Sequence, residues 1–128
     1  MKLLGSLIPL ALGALSELEE RNQRPIIGIV SNGIQDHFEN EENARIQGYT
    51  SYVSRNYVQT FEAAGARVVP IVYNADWETT KELLEKVNGI VYIGGGTNWE
   101  HFAKSRRIYE YVKNLNYQGH YVPIIGIC

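Results

Sequence analysis

The chain has 128 residues, of which 45% are hydrophobic and 20% are charged, as is usual for one soluble globular domain. Twelve basic and fourteen acidic residues give a formal charge of −2, and no basic stretch indicates a nucleic-acid partner. The single cysteine, Cys128, excludes an internal disulfide and a metal site built from several cysteines.

Residues 1–16 differ in character from the rest. Lys2 precedes an apolar stretch with the length of the hydrophobic region of a secretory signal peptide. Ala14-Leu15-Ser16 supplies small residues for cleavage, and the stretch is shorter than the roughly 20 apolar residues of a transmembrane helix. We therefore predict a signal peptide at 1–16 and a linker at 17–24. The alternative is an N-terminal helix that the mature protein keeps.

From Pro25 onward, short apolar runs alternate with amphipathic segments. The apolar runs predict four strands buried on both faces of a parallel sheet, at 26–30, 67–71, 90–93 and 122–127. Pro70 has no N–H to donate, which places the second strand at an edge of the sheet. The acidic segment 31–45 has few apolar residues and is predicted to be a loop over the sheet.

Apolar residues at three- and four-residue spacing predict one helix in each of the three intervals between strands. The first is predicted to begin near Tyr49 and to end at Gly65. The second is predicted to be capped by Asp76, and the third to end at Gly119. The third helix is expected to turn five residues toward the sheet: Phe102, Ile108, Tyr109, Val112 and Leu115.

Strands that alternate with helices indicate a doubly wound α/β fold with a parallel sheet and right-handed crossovers. We expect the first strand between the second and the third, and the fourth beside the third. Ligands bind such sheets at the carboxyl ends of the strands. Gly94–Gly96 follow the third strand and Cys128 follows the fourth, so the chemistry is expected there.

Three consecutive glycines let a backbone approach a ligand closely, and their N–H groups can hold an anion or a developing oxyanion. The alternative for Gly94–Gly96 is a tight turn. Cys128 is a candidate nucleophile, and the alternative is a buried structural cysteine. Tyr49 could shape the pocket or pack in the core. All three histidines are predicted to be surface residues and poor candidates for a catalytic base: His37, His101 and His120.

Four blocks of the sequence resemble gamma-glutamyl hydrolases in order and spacing: Arg24 to Ile29, Tyr52 to Ile71, Asn88 to Gly96 and Tyr121 to Cys128. This family belongs to the class I glutamine amidotransferase-like superfamily, whose fold is flavodoxin-like. The resemblance runs from Arg24 to the last residue. It implies that residues 25–128 are the first half of such a domain, with about four strands.

The resemblance also implies an activity, the hydrolysis of gamma-glutamyl bonds in folylpoly-gamma-glutamates by a cysteine nucleophile. By position, Cys128 matches the nucleophile, and the N–H of Gly95 or Gly96 matches one oxyanion donor. Gly94 and Tyr49 complete the predicted substrate-binding set. No metal or organic cofactor is expected. Because the family motif Gly-x-Cys-x-Gly stops here at its cysteine, we expect a fragment or a degenerate half-domain that is inactive alone.

The family is typically secreted, lysosomal or vacuolar, which agrees with the predicted signal peptide. The expected partner is a small-molecule substrate, a homodimer is left open, and neither nucleic acid nor stable membrane insertion is expected. Two alternatives remain. One is an amide hydrolase or glutamine amidotransferase of the same superfamily with a different substrate, and the other is a catalytically inactive structural subunit.

Overall fold

The computed structural model describes residues 23–34, 46–96 and 98–128. The strands in chain order are β1 (Ile26–Val30), β2 (Asn32–Gly33), β3 (Ser51–Tyr52), β4 (Arg67–Ile71), β5 (Gly89–Tyr92) and β6 (Ile124–Gly126). The helices are α1 (Arg55–Ala63), α2 (Trp77–Leu84) and α3 (Trp99–Tyr117). The predicted signal peptide at 1–16 and most of the predicted linker at 17–24 lie outside the described residues.

Four strands form a parallel sheet in the order β4-β1-β5-β6. The predicted order and direction are therefore confirmed, and the fold is α/β. Two strands differ in extent from the prediction, since β5 begins one residue earlier and β6 is shorter. Pro123 cannot donate to the ladder, but its carbonyl accepts from the N–H of Ile90 at 2.9 Å. The β6 strand begins only at the next residue.

Pro70 lies in the edge strand β4, as its missing N–H predicts. The N–H of Arg67 donates to the carbonyl oxygen of Pro25 at 2.8 Å, so the donors of alternate residues in β4 point toward β1. Pro70 lies three positions further along and is paired with Ile29, so its nitrogen faces away from β1. The proline therefore costs the sheet no internal hydrogen bond.

Hydrophobic side chains pack on both faces of the sheet because neighbouring residues of a strand point to opposite sides. Val30 and Ile90 belong to a cluster that α2 and α3 cover, with Leu84, Ile108 and Val112 as its main helical members. Ile29 and Val91 belong to a second cluster, which α1 covers with Tyr57, Val58 and Phe61. Burying one such side chain contributes about 1.5–3 kcal/mol, so these two clusters hold the sheet between its helices.

The helix predicted to begin near Tyr49 begins instead at Arg55. Ser51 and Tyr52 form β3, which pairs antiparallel with β2. The β2 strand itself lies at the start of the segment 31–45 that was predicted to be a loop. Strand pairing gives hydrogen-bond partners to the backbone N–H and C=O groups of these residues. They are therefore extended, although the spacing of the tyrosines is typical of a helix. The prediction of a loop at 31–45 is therefore wrong at Asn32–Gly33, and residues 35–45 lie outside the described part of the chain.

The inner face of α3 differs from the prediction at two of its aromatic residues. Phe102 is 48% exposed and Tyr109 is 42% exposed, whereas Ile108 and Val112 are buried as expected. The other buried residues of α3 are His101 and Ser105. These two polar side chains can be buried because each has a partner within hydrogen-bonding distance. His101 lies against the carbonyl oxygen of Ser31, at the end of β1, and Ser105 lies against the ring of His101.

The predicted helix ends are confirmed in two cases. Gly65 and Gly119 each follow a helix with a φ of 91°, a conformation that glycine adopts without strain. The cap of α2 is also confirmed, since the side chain of Asp76 accepts from the N–H groups of Glu78 and Thr79. The α2 helix itself ends at Leu84.

Candidate functional site

The glycine turn and the cysteine lie next to each other at the carboxyl ends of β5 and β6. The N–H of Ile127 donates to the carbonyl oxygen of Tyr92 at 2.9 Å, which extends the pairing of the two strands past β6. Gly94 and Cys128 follow this bond on the two strands. The structure thus brings together the two features that the sequence placed at this end of the sheet.

A side chain on Gly94 would crowd the end of β6. A Cβ atom built on it would lie 3.1 Å from the backbone carbonyl carbon of Cys128 and 3.1 Å from the carbonyl oxygen of Ile127. Both neighbours are backbone atoms, which cannot move aside as a flexible side chain does. The close approach of Gly94 to Cys128 therefore depends on glycine. Within the described part of the chain, Cys128 is an exposed residue.

Gly95 needs glycine for a second reason. Its φ is +139°, a conformation that residues with a side chain rarely adopt. A Cβ atom on Gly95 would also lie 2.7 Å from Nδ2 of Asn32. Gly96 is exposed and follows in the same turn. These positions form the tight turn that the sequence allowed, and the turn leaves the backbone bare beside the cysteine.

Asn32 is a site residue that sequence analysis missed. Its side chain is 4% exposed, and its Nδ2 donates to the carbonyl oxygen of Gly94 at 3.1 Å. The residue follows β1, the strand beside β5, so the same edge of the sheet holds it. The available signal was a pair of polar residues, Ser31 and Asn32, directly after the apolar run of β1.

His101 was predicted to be a surface residue, and the structure overturns this. It is 6% exposed, and its Nε2 lies 2.9 Å from the carbonyl oxygen of Ser31. A carbonyl only accepts, so Nε2 is the protonated nitrogen and donates. The ring lies 4.6 Å from the ring of Tyr73. Among the described residues, none bonds to the buried Nδ1 of His101.

The other histidines lie elsewhere. His120 is exposed and precedes β6, at the amino end of the sheet and away from Cys128. His37 lies outside the described residues. His101 holds the end of β1 through Ser31, and this bond occupies the nitrogen that carries its proton.

Tyr49 does not stand at the tip of a helix, because α1 begins at Arg55. Its side chain is 61% exposed and lies ahead of β3. The tyrosine whose hydroxyl approaches the glycine turn is Tyr52, at 3.9 Å from a Cβ built on Gly95. The antiparallel pairing of β2 with β3 explains this placement, since it sets Tyr52 opposite Asn32.

An open groove of about 460 Å³ runs along α3 beside the end of β5. Its lining includes the rings of Tyr92, Phe102 and Tyr109, together with the charged residues Arg106 and Glu110. The hydroxyl of Tyr92 donates to the carbonyl oxygen of Ser105 at 3.0 Å. Burial, with a smaller contribution from Tyr109, raises the pKa of Tyr92, so this phenol stays protonated at neutral pH.

No helix among the described residues is both long enough and apolar enough to cross a membrane.

Comparison with known proteins identifies the family. Residues 25–128 match the model of the family described as Peptidase C26. Gamma-glutamyl hydrolase 1 of Arabidopsis thaliana is 36% identical over 110 residues, which cover 84% of this chain and 30% of that protein. Gamma-glutamyl hydrolase B of Dictyostelium discoideum is 33% identical over 111 residues, with coverage of 84% and 30%.

The gamma-glutamyl hydrolase of Rattus norvegicus is 35% identical over 120 residues, which cover 91% of this chain and 35% of that protein. The chain therefore spans between 30% and 35% of the length of these three relatives. The family match includes all four strands of the main sheet, the glycine turn and Cys128. The chain belongs to the Peptidase C26 family.

Proposed function

We propose that residues 25–128 form the nucleophile-bearing part of a gamma-glutamyl hydrolase that acts on folylpoly-gamma-glutamates. One observation carries the proposal: Cys128 is exposed, and its backbone lies beside a turn of three glycines at the carboxyl ends of adjacent parallel strands. This is where α/β sheets of this kind bind their ligands. The names of the similar proteins support the same activity.

In the proposed reaction, the thiolate of Cys128 attacks the carbonyl carbon of the gamma-amide and an S–C bond forms. The carbonyl oxygen becomes an oxyanion, which the N–H of Gly95 or Gly96 stabilises. The C–N bond then breaks, and the leaving amine takes a proton. Water hydrolyses the thioester, releases the glutamyl product and restores the thiol. Neither a metal ion nor an organic cofactor takes part in these steps.

The group that protonates the leaving amine is not assigned to either described histidine. His101 is buried and donates to Ser31, and His120 lies at the amino end of the sheet. In the family that the sequence resembles, a histidine with an acidic partner supplies this proton, and we place both residues in the part of a family-length protein that residues 25–128 do not represent. The substrate is then held between that part and the sheet edge that carries Gly94–Gly96 and Cys128.

The proposal also includes the location, the small-molecule partner and the oligomeric state of the protein. The predicted signal peptide at 1–16 supports a secreted, lysosomal or vacuolar protein. Its partner is then a small folate polyglutamate, and a homodimer is compatible with this function. Fusion of a fluorescent protein to the C-terminal end would test the location. Fluorescence throughout the cytosol would contradict it.

A chimera tests the activity directly. Residues 25–128 replace the matching segment of Arabidopsis thaliana Gamma-glutamyl hydrolase 1, and glutamate release from a folate polyglutamate is measured. We expect turnover that Cys128→Ser abolishes. Because the sequence has one cysteine, this variant removes the only thiol that the segment contributes.

Three results would count against the proposal. A folded chimera that is inactive while its parent is active would support an inactive structural subunit. A chimera that keeps its turnover after Cys128→Ser would remove the nucleophile from the mechanism. Turnover of glutamine or of gamma-glutamyl peptides without turnover of folate polyglutamates would favour another amide hydrolase of the superfamily.

A further inference from the structure

We propose that Asn32 is a positioning residue that holds the peptide between Gly94 and Gly95 in the orientation that presents the Gly95 N–H to the substrate oxyanion. The inference rests on the proposed function, because the oxyanion arises in that reaction. It adds a residue that touches neither the substrate nor Cys128. The argument starts from one hydrogen bond, from Nδ2 of Asn32 to the carbonyl oxygen of Gly94 at 3.1 Å.

Because the peptide between Gly94 and Gly95 is planar, the hydrogen bond to the Gly94 carbonyl also sets the direction of the Gly95 N–H. The peptide after Gly94 is trans, so its C=O and the N–H of Gly95 point in opposite directions. Since the oxygen faces Asn32, the N–H faces away from Asn32. Among the described residues, neither a backbone nor a side-chain acceptor bonds to the Gly95 N–H. This donor is therefore free for a ligand.

The peptide needs to be held because glycine flanks it on both sides. Glycine populates both signs of φ, so a peptide between two glycines can flip at little cost in backbone energy. The flipped form would aim a carbonyl oxygen at the place where negative charge develops, and it would repel the oxyanion. An oxyanion donor is effective only when it is oriented before the reaction. The amide of Asn32 selects the orientation that works.

Asn32 is itself fixed in place. Its backbone pairs with Tyr52 across the β2–β3 ladder, and its side chain is buried. The preceding residue, Ser31, is held by three bonds. Its N–H donates to the carbonyl of Ile71 at 3.0 Å, its Oγ accepts from the N–H of Tyr73 at 3.1 Å, and its carbonyl accepts from His101 at 2.9 Å.

This arrangement connects the amide to three neighbouring elements, β4, β3 and α3. A site residue whose own neighbours are rigid keeps its geometry to within fractions of an ångström. Gly95 completes the fit, because a Cβ there would lie 2.7 Å from Nδ2 of Asn32 and displace the amide. The glycine turn and Asn32 therefore form one unit, which we name the Asn32 brace.

The test compares two reactions of Cys128 on the unaltered chain and on Asn32→Ala. A small aldehyde, propionaldehyde, forms a thiohemiacetal: the S–C bond forms and the thiol proton ends on the former carbonyl oxygen. Iodoacetamide alkylates the same thiol with loss of iodide and creates no oxyanion. The control is Asn74→Asp, which removes an exposed amide that donates to Oγ1 of Thr50. Asn74 follows β4, which β1 separates from β5 and the glycines.

We expect the unaltered chain to bind propionaldehyde more tightly than N-acetylcysteine does. Asn32→Ala should raise the dissociation constant of this adduct about tenfold. The loss of a whole oxyanion donor costs about 10²–10³ in rate, and this variant misorients the donor without removing it. The alkylation rate should change less than about twofold, because that reaction uses no oxyanion donor. Asn74→Asp should change neither. An unchanged adduct in a folded Asn32→Ala protein would overturn the brace.

Nuclear magnetic resonance separates the brace from the proposed function. The N–H dipolar coupling of Gly95 reports the orientation of the peptide whether or not Cys128 is a nucleophile. It should change in Asn32→Ala and stay the same in Asn74→Asp, and an unchanged coupling in Asn32→Ala would overturn the brace. An adduct no tighter than that of N-acetylcysteine would contradict the proposed function, while this coupling still decides the brace.

A further measurement needs no variant, and it decides the case in which Asn32→Ala does not fold. A scalar coupling through the hydrogen bond should link the Asn32 side-chain nitrogen to the Gly94 carbonyl carbon in the unaltered protein. Its detection supports the brace, and its absence from a spectrum that resolves both nuclei overturns it.

Discussion

The ring of His101 donates to the carbonyl oxygen of Ser31 at 2.9 Å and so joins the first turn of α3 to the end of β1. Seventy positions separate the two residues in the sequence. The bond is buried, where an unpaired carbonyl costs about 1–3 kcal/mol. It fixes the residue that precedes Asn32, and the helix that carries His101 begins three residues after the glycine turn.

His101→Ala should lower the free energy of unfolding by about 2–4 kcal/mol, because it leaves the Ser31 carbonyl without a donor and opens a cavity beside Tyr73. Denaturation by urea measures the change. The control is His120→Ala, an exposed position where about 0.5 kcal/mol or less is expected. Equal effects of the two substitutions would contradict the structural role of His101.

Gly94→Ala should separate the ends of β5 and β6, since the new Cβ would lie 3.1 Å from backbone atoms of Ile127 and Cys128. We expect a loss of about 1–3 kcal/mol in unfolding free energy, the usual cost of forcing extra volume into a tight contact.

Gly126→Ala is the matched control for this change, because a Cβ there meets nothing within 4 Å. It should alter stability by about 0.5 kcal/mol or less, as surface substitutions do. Thermal unfolding of the two variants gives the comparison. A Gly94→Ala protein as stable as the Gly126→Ala protein would show that the strand ends are not in close contact.

Asp76 makes the stability of α2 depend on pH. Hydrogen bonds from the side chain and the N–H of Thr79, and from the N–H of Glu78, hold the pKa of Asp76 below its ordinary 3.8. A lowered folded-state pKa means that the carboxylate stabilises the fold above the unfolded pKa and that this contribution is lost as pH falls through the folded pKa.

Asp76→Asn keeps an acceptor oxygen but does not ionise, so it should be less stable than the unaltered protein at pH 7. The difference should shrink as pH falls below about 4, the unfolded-state value of an aspartate. Urea midpoints across the pH range measure it. Glu62→Gln, an exposed change on α1, is the control and should show no such convergence. A constant difference for Asp76→Asn would contradict the capping role.

The polypeptide of residues 1–128 should release no glutamate from a folate polyglutamate above the level of its Cys128→Ser variant. His101 is buried and donates to Ser31, and His120 lies at the amino end of the sheet, so neither is placed as an acid or base for Cys128. General acid–base catalysis is typically worth 10²–10⁴ in rate. Glutamate release is measured with the chimera as the positive control. Turnover above the serine variant would mean that the chain contains a complete catalytic set.

The sequence predicted the sheet because the necessary signals are local. Each apolar run, such as Ile26–Val30, marks a buried strand, and the proline in β4 marks an edge. Parallel strands then bring their carboxyl ends to one side, which is why Gly94 and Cys128 could be placed together without a structure. Their catalytic roles stay predictions until the chimera and the aldehyde adduct are measured.

The sequence analysis did not identify Asn32 as a site residue or His101 as a buried one, because their hydrogen-bond partners are distant in the sequence. The acceptor of Asn32 lies 62 positions away and that of His101 lies 70 positions away. No short pattern in the sequence records such a pair, and histidine is intermediate between buried and exposed residue types. The start of α1 was wrong for a related reason. Tyr49 and Tyr52 have helical spacing, but β3 pairs with a strand that precedes it by about twenty residues.

Because of Pro70, the two edges of the sheet differ in their ability to pair with a further strand. A new strand that approached β4 would meet a nitrogen without a hydrogen where the ladder requires a donor, so this edge resists both domain swapping and fibril-like addition. At the opposite edge, Ile124–Gly126 pair only with β5 among the described residues, and Ile125 is 48% exposed. Any strand that extends the sheet, from the same protein or from an aggregate, is therefore expected beside β6 and next to Cys128.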